Sequence, residues 1–147
     1  MSIIALDIAT KTGWATSTAS GTWDLKPNRG ESEGMRVVRF KSKVRELIEI
    51  ERPTIIAYER PAGMHKNSIM VASEMIGVLK DLCQEKGIEY ASYSAMEIKK
   101  FFTGSGNANK AKMLSTAQEM FPEKKIKDDN EADALALYLL TKKDLKI

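Results

Sequence analysis

Apolar residues run without alternation from Ile3 through Leu6 and stop at Asp7, which opens a short polar stretch ending at Gly13. A run so rich in branched residues predicts a strand over Ile3 to Ile8 that is buried on both faces. Thr54 to Glu59 has the same shape, and there Ile55, Ala57 and Glu59 share one side, as Ile3, Ala5 and Asp7 do. Between the two runs, Val37, Phe40, Val44, Leu47 and Ile48 recur at helical spacing. That spacing predicts an amphipathic helix over 34–51, ended by Pro53. Parallel strands joined through this helix would deliver Asp7 and Glu59 to one sheet edge, at the carboxyl ends where crossover folds place their sites.

The rest of the pattern fills in around that pair. Gly13–Ser17 and Thr22–Leu25 are short β-like pieces with Ser20-Gly21 as the turn, so three antiparallel strands open the chain. Residues 26–34, with Pro27, Gly30 and Gly34, predict a loop. Asn67-Ser68 is expected to cap a helix over 68–86, whose Gly77 suggests close approach of another backbone. Ile88–Tyr93 predicts a further strand, and Ala95–Phe102 a short helix before the glycine-containing loop 103–109. A helix through Met113, Leu114, Ala117 and Met120 and a basic connector over 122–127 follow. The last helix should start near Asp129 or Asn130, with Leu135, Ala136, Leu139 and Leu140 as its buried stripe. The order predicts one mixed α/β layer domain spanning residues 1–147, with five strands in its sheet.

Composition narrows the function classes. A chain 43% hydrophobic and 29% charged has the balance of a globular protein, and no apolar run nears the roughly 20 residues a membrane span needs. The N-terminus enters a strand without a basic region, so no signal peptide is expected, and a cytoplasmic location is. One cysteine, Cys83, excludes an internal disulfide framework; with one histidine, His65, it cannot build an ordinary zinc site. Any metal must be a hard cation on oxygen ligands. The net charge is only +3, yet residues 99–127 hold seven lysines against Glu119 and Glu123. Such a face suits a polyanion or is simply solvated.

Asp7 has two readings: an acceptor for backbone N–H groups of the Thr10–Gly13 turn, or one ligand among several carboxylates. The segment Asp128-Asp-Asn-Glu-Ala-Asp133 supplies the third carboxylate, since Asp133 shares a helix face with Asn130 and Asp129. Three carboxylates brought together repel unless a cation joins them, and Mg²⁺ or Mn²⁺ fits an all-oxygen set. Two such ions about 4 Å apart can activate a water and stabilise the leaving oxygen of a phosphodiester. Asp129 is expected as the helix N-cap, its oxygens turned away from the cluster, leaving Asn130 as the fourth ligand and Asp129 as the alternative.

Leu6-Asp-Ile-Ala-Thr-Lys-Thr-Gly-Trp-Ala15, Tyr58-Glu-Arg-Pro61, Asn130-Glu-Ala-Asp-Ala-Leu-Ala136 and the loop from Lys99 to Lys110 together resemble the RuvC-type Holliday junction resolvases of the ribonuclease H-like superfamily. The likeness is collinear over nearly the whole chain. It implies a ribonuclease H-like mixed five-stranded sheet with helices on both faces, and a homodimer that binds four-way or branched DNA and nicks two strands with divalent metal. It implies further that Asp7, Glu59 and Asp133 hold metal and that Lys110 lies near the scissile phosphate. Lys11, Lys99, Lys100, Lys110 and Lys112 are the expected DNA contacts. Asn130 stands where the family usually has an acidic residue or histidine, and the compactness suits a phage-encoded member, with the host cytoplasm as its location.

Other motifs carry less. Gly104 to Lys110 is no Walker A loop, because Ala111 follows the lysine and no buried strand leads in. Trp14 and Trp23 are expected as packing residues, His65 as an exposed loop residue, and Cys83 as a small buried hydrophobe. One of Phe101 and Phe102 belongs to the core, and the other could stack on an unpaired base. Two further readings stay open: an actin-like nucleotide-binding domain, for which one domain is too few, and a branched-DNA-binding protein with an impaired metal site, which Asn130 supports.

Overall fold

The computed structural model describes residues 2–63 and 65–147. Five strands, β1 (Ile3–Asp7), β2 (Lys11–Ala15), β3 (Ser20–Asp24), β4 (Ile55–Glu59) and β5 (Glu89–Tyr93), form one sheet in the order β3-β2-β1-β4-β5. The first three are antiparallel neighbours, and β4 and β5 add on in parallel to β1. Helix α1 (Gly34–Glu51) crosses from β3 to β4, and α2 (Lys66–Lys86) from β4 to β5. Helices α3 (Ala95–Thr103), α4 (Lys110–Met120) and α5 (Asp129–Asp144) complete the chain. Among the described residues, no helix is long and apolar enough to cross a membrane.

The period-two alternation of the central strands sorts two cores. Ile4, Leu6, Ile56 and Tyr58 meet Phe40 and Val44 of α1 and Met75, Leu79 and Leu82 of α2. On the other face Ala5, Ala15 and Ala57 form the middle of the sheet, and against these alanines lie Ala132, Leu135 and Ala136 of α5 with Ile98, Phe102 and Met113 behind. Small residues on that face let a helix lie close to the sheet. Gly13 takes this furthest: a Cβ there would fall 1.8 Å from the Asn130 carbonyl oxygen. Packed on several sides, α5 buries Ala132, Ala134, Leu135, Ala136, Leu137 and Thr141, a broader surface than the expected stripe, whereas Leu139 and Leu140 are half-buried.

Several local expectations are corrected. Ser20-Gly21 is not a turn but the start of β3; the hairpin closes at residues 16–19, where Thr16 N–H donates to the Ala19 carbonyl at 2.8 Å. Gly21 is needed for space, because a Cβ there would press on the Trp14 indole at 3.0 Å, and Trp14 stacks on Trp23 at 6.0 Å between ring centroids. Asn67 and Ser68 lie inside α2, which starts at Lys66 with His65 at its cap position. Among the described residues, nothing beyond its own helix turn comes within 4 Å of a Cβ placed on Gly77. Cys83 and Phe102 are buried, while Phe101 is half-buried with the Lys143 ammonium 5.3 Å over its ring.

Candidate active site

The sheet register sets the first two carboxylates side by side. Ala5 pairs with Ala57 and Leu6 with Tyr58, so Asp7 and Glu59 come next, abreast at the carboxyl ends of β1 and β4. By alternation they face the α5 layer, with the alanines that precede them. Across the other edge of β1, Asp7 pairs with Gly13, the residue on which the Asn130 carbonyl rests. The start of α5 is therefore docked beside Asp7, and one helical turn further along stands Asp133. Arg60 fixes the β4 end, its guanidinium donating to the Ser92 carbonyl at 3.1 Å and its N–H to the Tyr93 carbonyl at 2.8 Å.

The three carboxylates sense one another. Burial raises the Asp7 pKa well above its ordinary value; the charges of Glu59, Asp133 and Asp129 push it further, and Lys110 opposes them. Asp7 is half-buried by surface area, but protein atoms crowd it on all sides, and the crowding governs its protonation. Asp133 is pushed up to about 7 by burial and then by Glu59 and Asp129, against Lys99 and Lys110. Glu59 is raised by burial, with Lys99 opposing. The Thr10–Gly13 turn does not supply Asp7 with partners; Thr12 Oγ1 closes it by donating to the Ala9 carbonyl at 2.6 Å.

Among the described residues, no three histidine, cysteine or acidic side chains are gathered tightly enough to hold an ion as they stand. Like charges without a cation between them splay, so a loose set is what electrostatics dictates for the protein alone. Asp133 Oδ1 is buried with no hydrogen-bond partner. An unpartnered buried carboxyl oxygen on a residue that feels the charges of Glu59 and Asp129 is a position for a positive charge, and the donor set fits a hard divalent cation.

The start of α5 departs from expectation. Asp128, not Asp129, is the N-cap, its Oδ1 accepting the Glu131 N–H at 2.9 Å. Two hydroxyls of β3 hold this end: Thr22 Oγ1 donates to Asp128 Oδ1 at 2.8 Å and Ser20 Oγ to Glu131 Oε2 at 2.7 Å. Asp129 is thus the first helical residue, released from capping, and its charge acts on both Asp7 and Asp133. Asp133 is the fifth residue of the helix.

Of the predicted lysines, Lys110 at the start of α4 and Lys99 on α3 reach the site, the second as a half-buried neighbour of Glu59 and Asp133 rather than a remote contact. Lys100 and Lys112 are exposed on α3 and α4. Lys11 and Lys110 line a cleft of about 350 Å³ together with Asp129 and Asn130, and with Arg36, Asn67 and Ser68, which the sequence reading passed over. Arg36 sits among the alternating basic residues of an amphipathic helix, so only its place in space distinguishes it. Another hollow, by Cys83, Gly87 and Tyr90 at the opposite end of the sheet, gathers no comparable set.

The family model of crossover junction endodeoxyribonuclease RuvC matches residues 19–141, a span that includes Glu59, Lys110 and Asp133 but begins after Asp7. The protein of that name from Synechococcus sp. (strain CC9311) is 28% identical over 116 residues, covering 78% of this chain and 72% of its own. The Streptomyces avermitilis relative is also 28% identical, over 72% of this chain and 61% of its own. Among solved structures, Thermus thermophilus RuvC in complex with a Holliday junction substrate superposes with a TM-score of 0.77 at 22% identity, covering 95% of this chain and 91% of that one. The yeast mitochondrial Holliday junction resolvase superposes with a TM-score of 0.70 at 10% identity, over 98% and 80%. At these identities the structural likenesses speak for the fold, a ribonuclease H-like one.

Proposed function

The chain belongs to the RuvC family of crossover junction endodeoxyribonucleases, and from that premise we propose that it cuts four-way and related branched DNA by divalent-metal-dependent phosphodiester hydrolysis. The observation that carries the reading is the meeting of Asp7 and Glu59, abreast on parallel strands, with Asp133 of α5, whose Oδ1 is buried and unpartnered. Asp7, Glu59 and Asp133 would hold the metal, Mg²⁺ or Mn²⁺, with Asp129 as fourth ligand in place of Asn130. The argument for Asn130 had rested on Asp129 serving as the cap, and Asp128 fills that role. When bound, two such ions supply the charge that activates a water and stabilises the departing oxygen.

The chain's own groups do the rest. Lys110, exposed at the first residue of α4 and close enough to act on Asp7, is placed to hold a non-bridging oxygen of the scissile phosphate. Lys99 offsets part of the charge of Glu59 and Asp133 and opposes the upward push of burial on both. Lys11, Lys100 and Lys112 contact the arms. Since a four-way junction needs two cuts, we propose a homodimer that carries two such sites.

A labelled four-way junction, incubated with the protein in Mg²⁺, Mn²⁺ or Ca²⁺, tests this directly. Paired nicks in Mg²⁺ or Mn²⁺ and binding without cutting in Ca²⁺ are expected. Tight junction binding with no cutting in any metal would leave an architectural junction-binding protein instead.

A further inference from the structure

We infer that Arg36 is a phosphate-binding residue that fixes the cut strand beside the metal site, in a cleft built from the ends of several elements. The inference deepens the proposed nuclease reading and rests on it. Arg36 is the third residue of α1, Lys11 opens β2, Asn67 and Ser68 belong to the first turn of α2, Lys110 opens α4 and Asp129 opens α5. All of them line one cleft of about 350 Å³. Three of these six side chains are cations and one is an anion, and the anion belongs to the metal site.

Arg36 is short of partners where it stands. Its Nε is buried without a hydrogen bond, and among the described residues it makes no ion pair. Arg39, one turn along the same helix, also leaves its Nη1 buried without a partner, but Glu31 engages its Nη2 at 2.7 Å, whereas among the described residues no acid faces Arg36 in an ion pair. A buried N–H left unmade is unfavourable, so a guanidinium kept in this state beside a polar cleft marks a place where a ligand supplies the acceptor. The planar fork suits a phosphate oxygen pair better than a lysine does.

The cleft wall opposite offers donors as well. The start of α2 has no side-chain cap from His65 and no acidic residue in its first turn. Among the described residues no side chain caps its leading N–H groups, and these, with the exposed Asn67 and Ser68 side chains, can meet an anion. Lys110 and Asp129 belong both to this cleft and to the carboxylate site, so a phosphate on Arg36 would lie close to the carboxylates. The ligand is a DNA backbone phosphate, and the contact sets which phosphodiester reaches the carboxylates.

The test is binding of the full-length protein to a fluorescent four-way junction in Ca²⁺ across a salt series. Arg36→Met should weaken binding about tenfold, the loss expected for one charge-assisted contact. It should also flatten the log–log salt slope by about 0.9. The melting temperature of the free protein should hold or rise, because an unpartnered buried donor is removed. Ser68→Asp, which adds an anion to the cleft, should weaken binding in the same direction. Wild-type affinity and slope in Arg36→Met would overturn the inference, as would a loss of binding that only follows a loss of folded protein. If the wild type itself neither binds nor cuts the junction, the functional reading fails and takes this one with it. If the wild type does both and Arg36→Met matches it, only the inference fails.

Discussion

Thr22 on β3 donates its hydroxyl to Asp128 Oδ1 across 2.8 Å, and the same oxygen caps the Glu131 N–H at 2.9 Å. This hydrogen bond, with the one from Ser20 to Glu131, ties the sheet edge to the helix that carries Asp129 and Asp133. Thr22→Val keeps the shape and removes the donor. It should cost about 1 kcal/mol in chemical denaturation and weaken Mn²⁺ binding measured by calorimetry, while Thr22→Ser restores both. Unaltered Mn²⁺ affinity in Thr22→Val would reduce the contact to a structural tie.

The paired strand ends give a catalytic prediction. Asp7→Asn and Glu59→Gln each remove a charge from a set that repels itself and the substrate. Cutting should be lost while junction affinity is kept or improved. Full activity in either variant, in a gel assay on the labelled junction, would remove these residues from the metal site.

A pH dependence follows from Asp133, raised from 3.8 to about 7. The folded state binds this proton more tightly than the unfolded one, so stability from the site falls as pH rises from about 4 to about 7. Burial raises Asp7 and Glu59 with the same sign, and repulsion by the neighbouring carboxylates adds to it at Asp7. In EDTA the protein should melt lower at pH 8 than at pH 5 by at least about 2 °C, the shift from ~1 kcal/mol in a domain of this size. Mn²⁺ at pH 8 should recover it, and Asp133→Asn should flatten the profile. A wild-type profile identical to that of Asp133→Asn would contradict the assignment.

These sites were legible in the sequence to different degrees. Asp7 and Glu59 could be read because alternation fixes a strand residue's face and a crossover helix fixes the strand's direction. Both constraints are local or nearly so. The cap of α5 could not be read, since Asp128, Asp129 and Asn130 are all good capping residues. The choice among them is made by Thr22, over a hundred residues away in sequence. Gly21 misled for a related reason: its use is room for Trp14 on the neighbouring strand, which resembles a turn signal when only the sequence is in view. Arg36 was invisible because a missing partner is a property of three-dimensional surroundings alone.

The cap assignment reverses an expectation about metal ligands. With Asp128 engaged by Thr22 and Glu131, Asp129 is free to join Asp133, and Asn130 is anchored through its carbonyl over Gly13. Asp129→Asn should eliminate cutting or raise the Mg²⁺ requirement at least tenfold, with little change in stability. Asn130→Ala should be mild by comparison. The opposite ranking in a Mg²⁺ titration of cleavage would return the fourth position to Asn130.

The last prediction concerns assembly through α2. Met75 is wholly buried in the core, and Val71 and Val78 pack against it, so none of the three is available to an interface. What the outer face offers is Met70, 61% exposed, and the exposed Ser73 and Gly77 on the same stripe. Among the described residues, a Cβ on Gly77 meets nothing within 4 Å beyond its own helix turn. In an isolated protomer Gly77→Ala should therefore stabilise the helix by about 1 kcal/mol, since the glycine carries only a conformational penalty there. If two copies of α2 meet at this stripe, the same methyl group intrudes between them, and Gly77→Leu intrudes further. The two measurements should then move in opposite senses: higher melting temperature for dilute Gly77→Ala, and a dimer dissociation constant at least tenfold weaker for Gly77→Leu by sedimentation. A wild type that sediments as a monomer at micromolar concentration, both free and junction-bound, would sink the dimer. Unchanged dimerisation in Gly77→Leu would move the interface to another face.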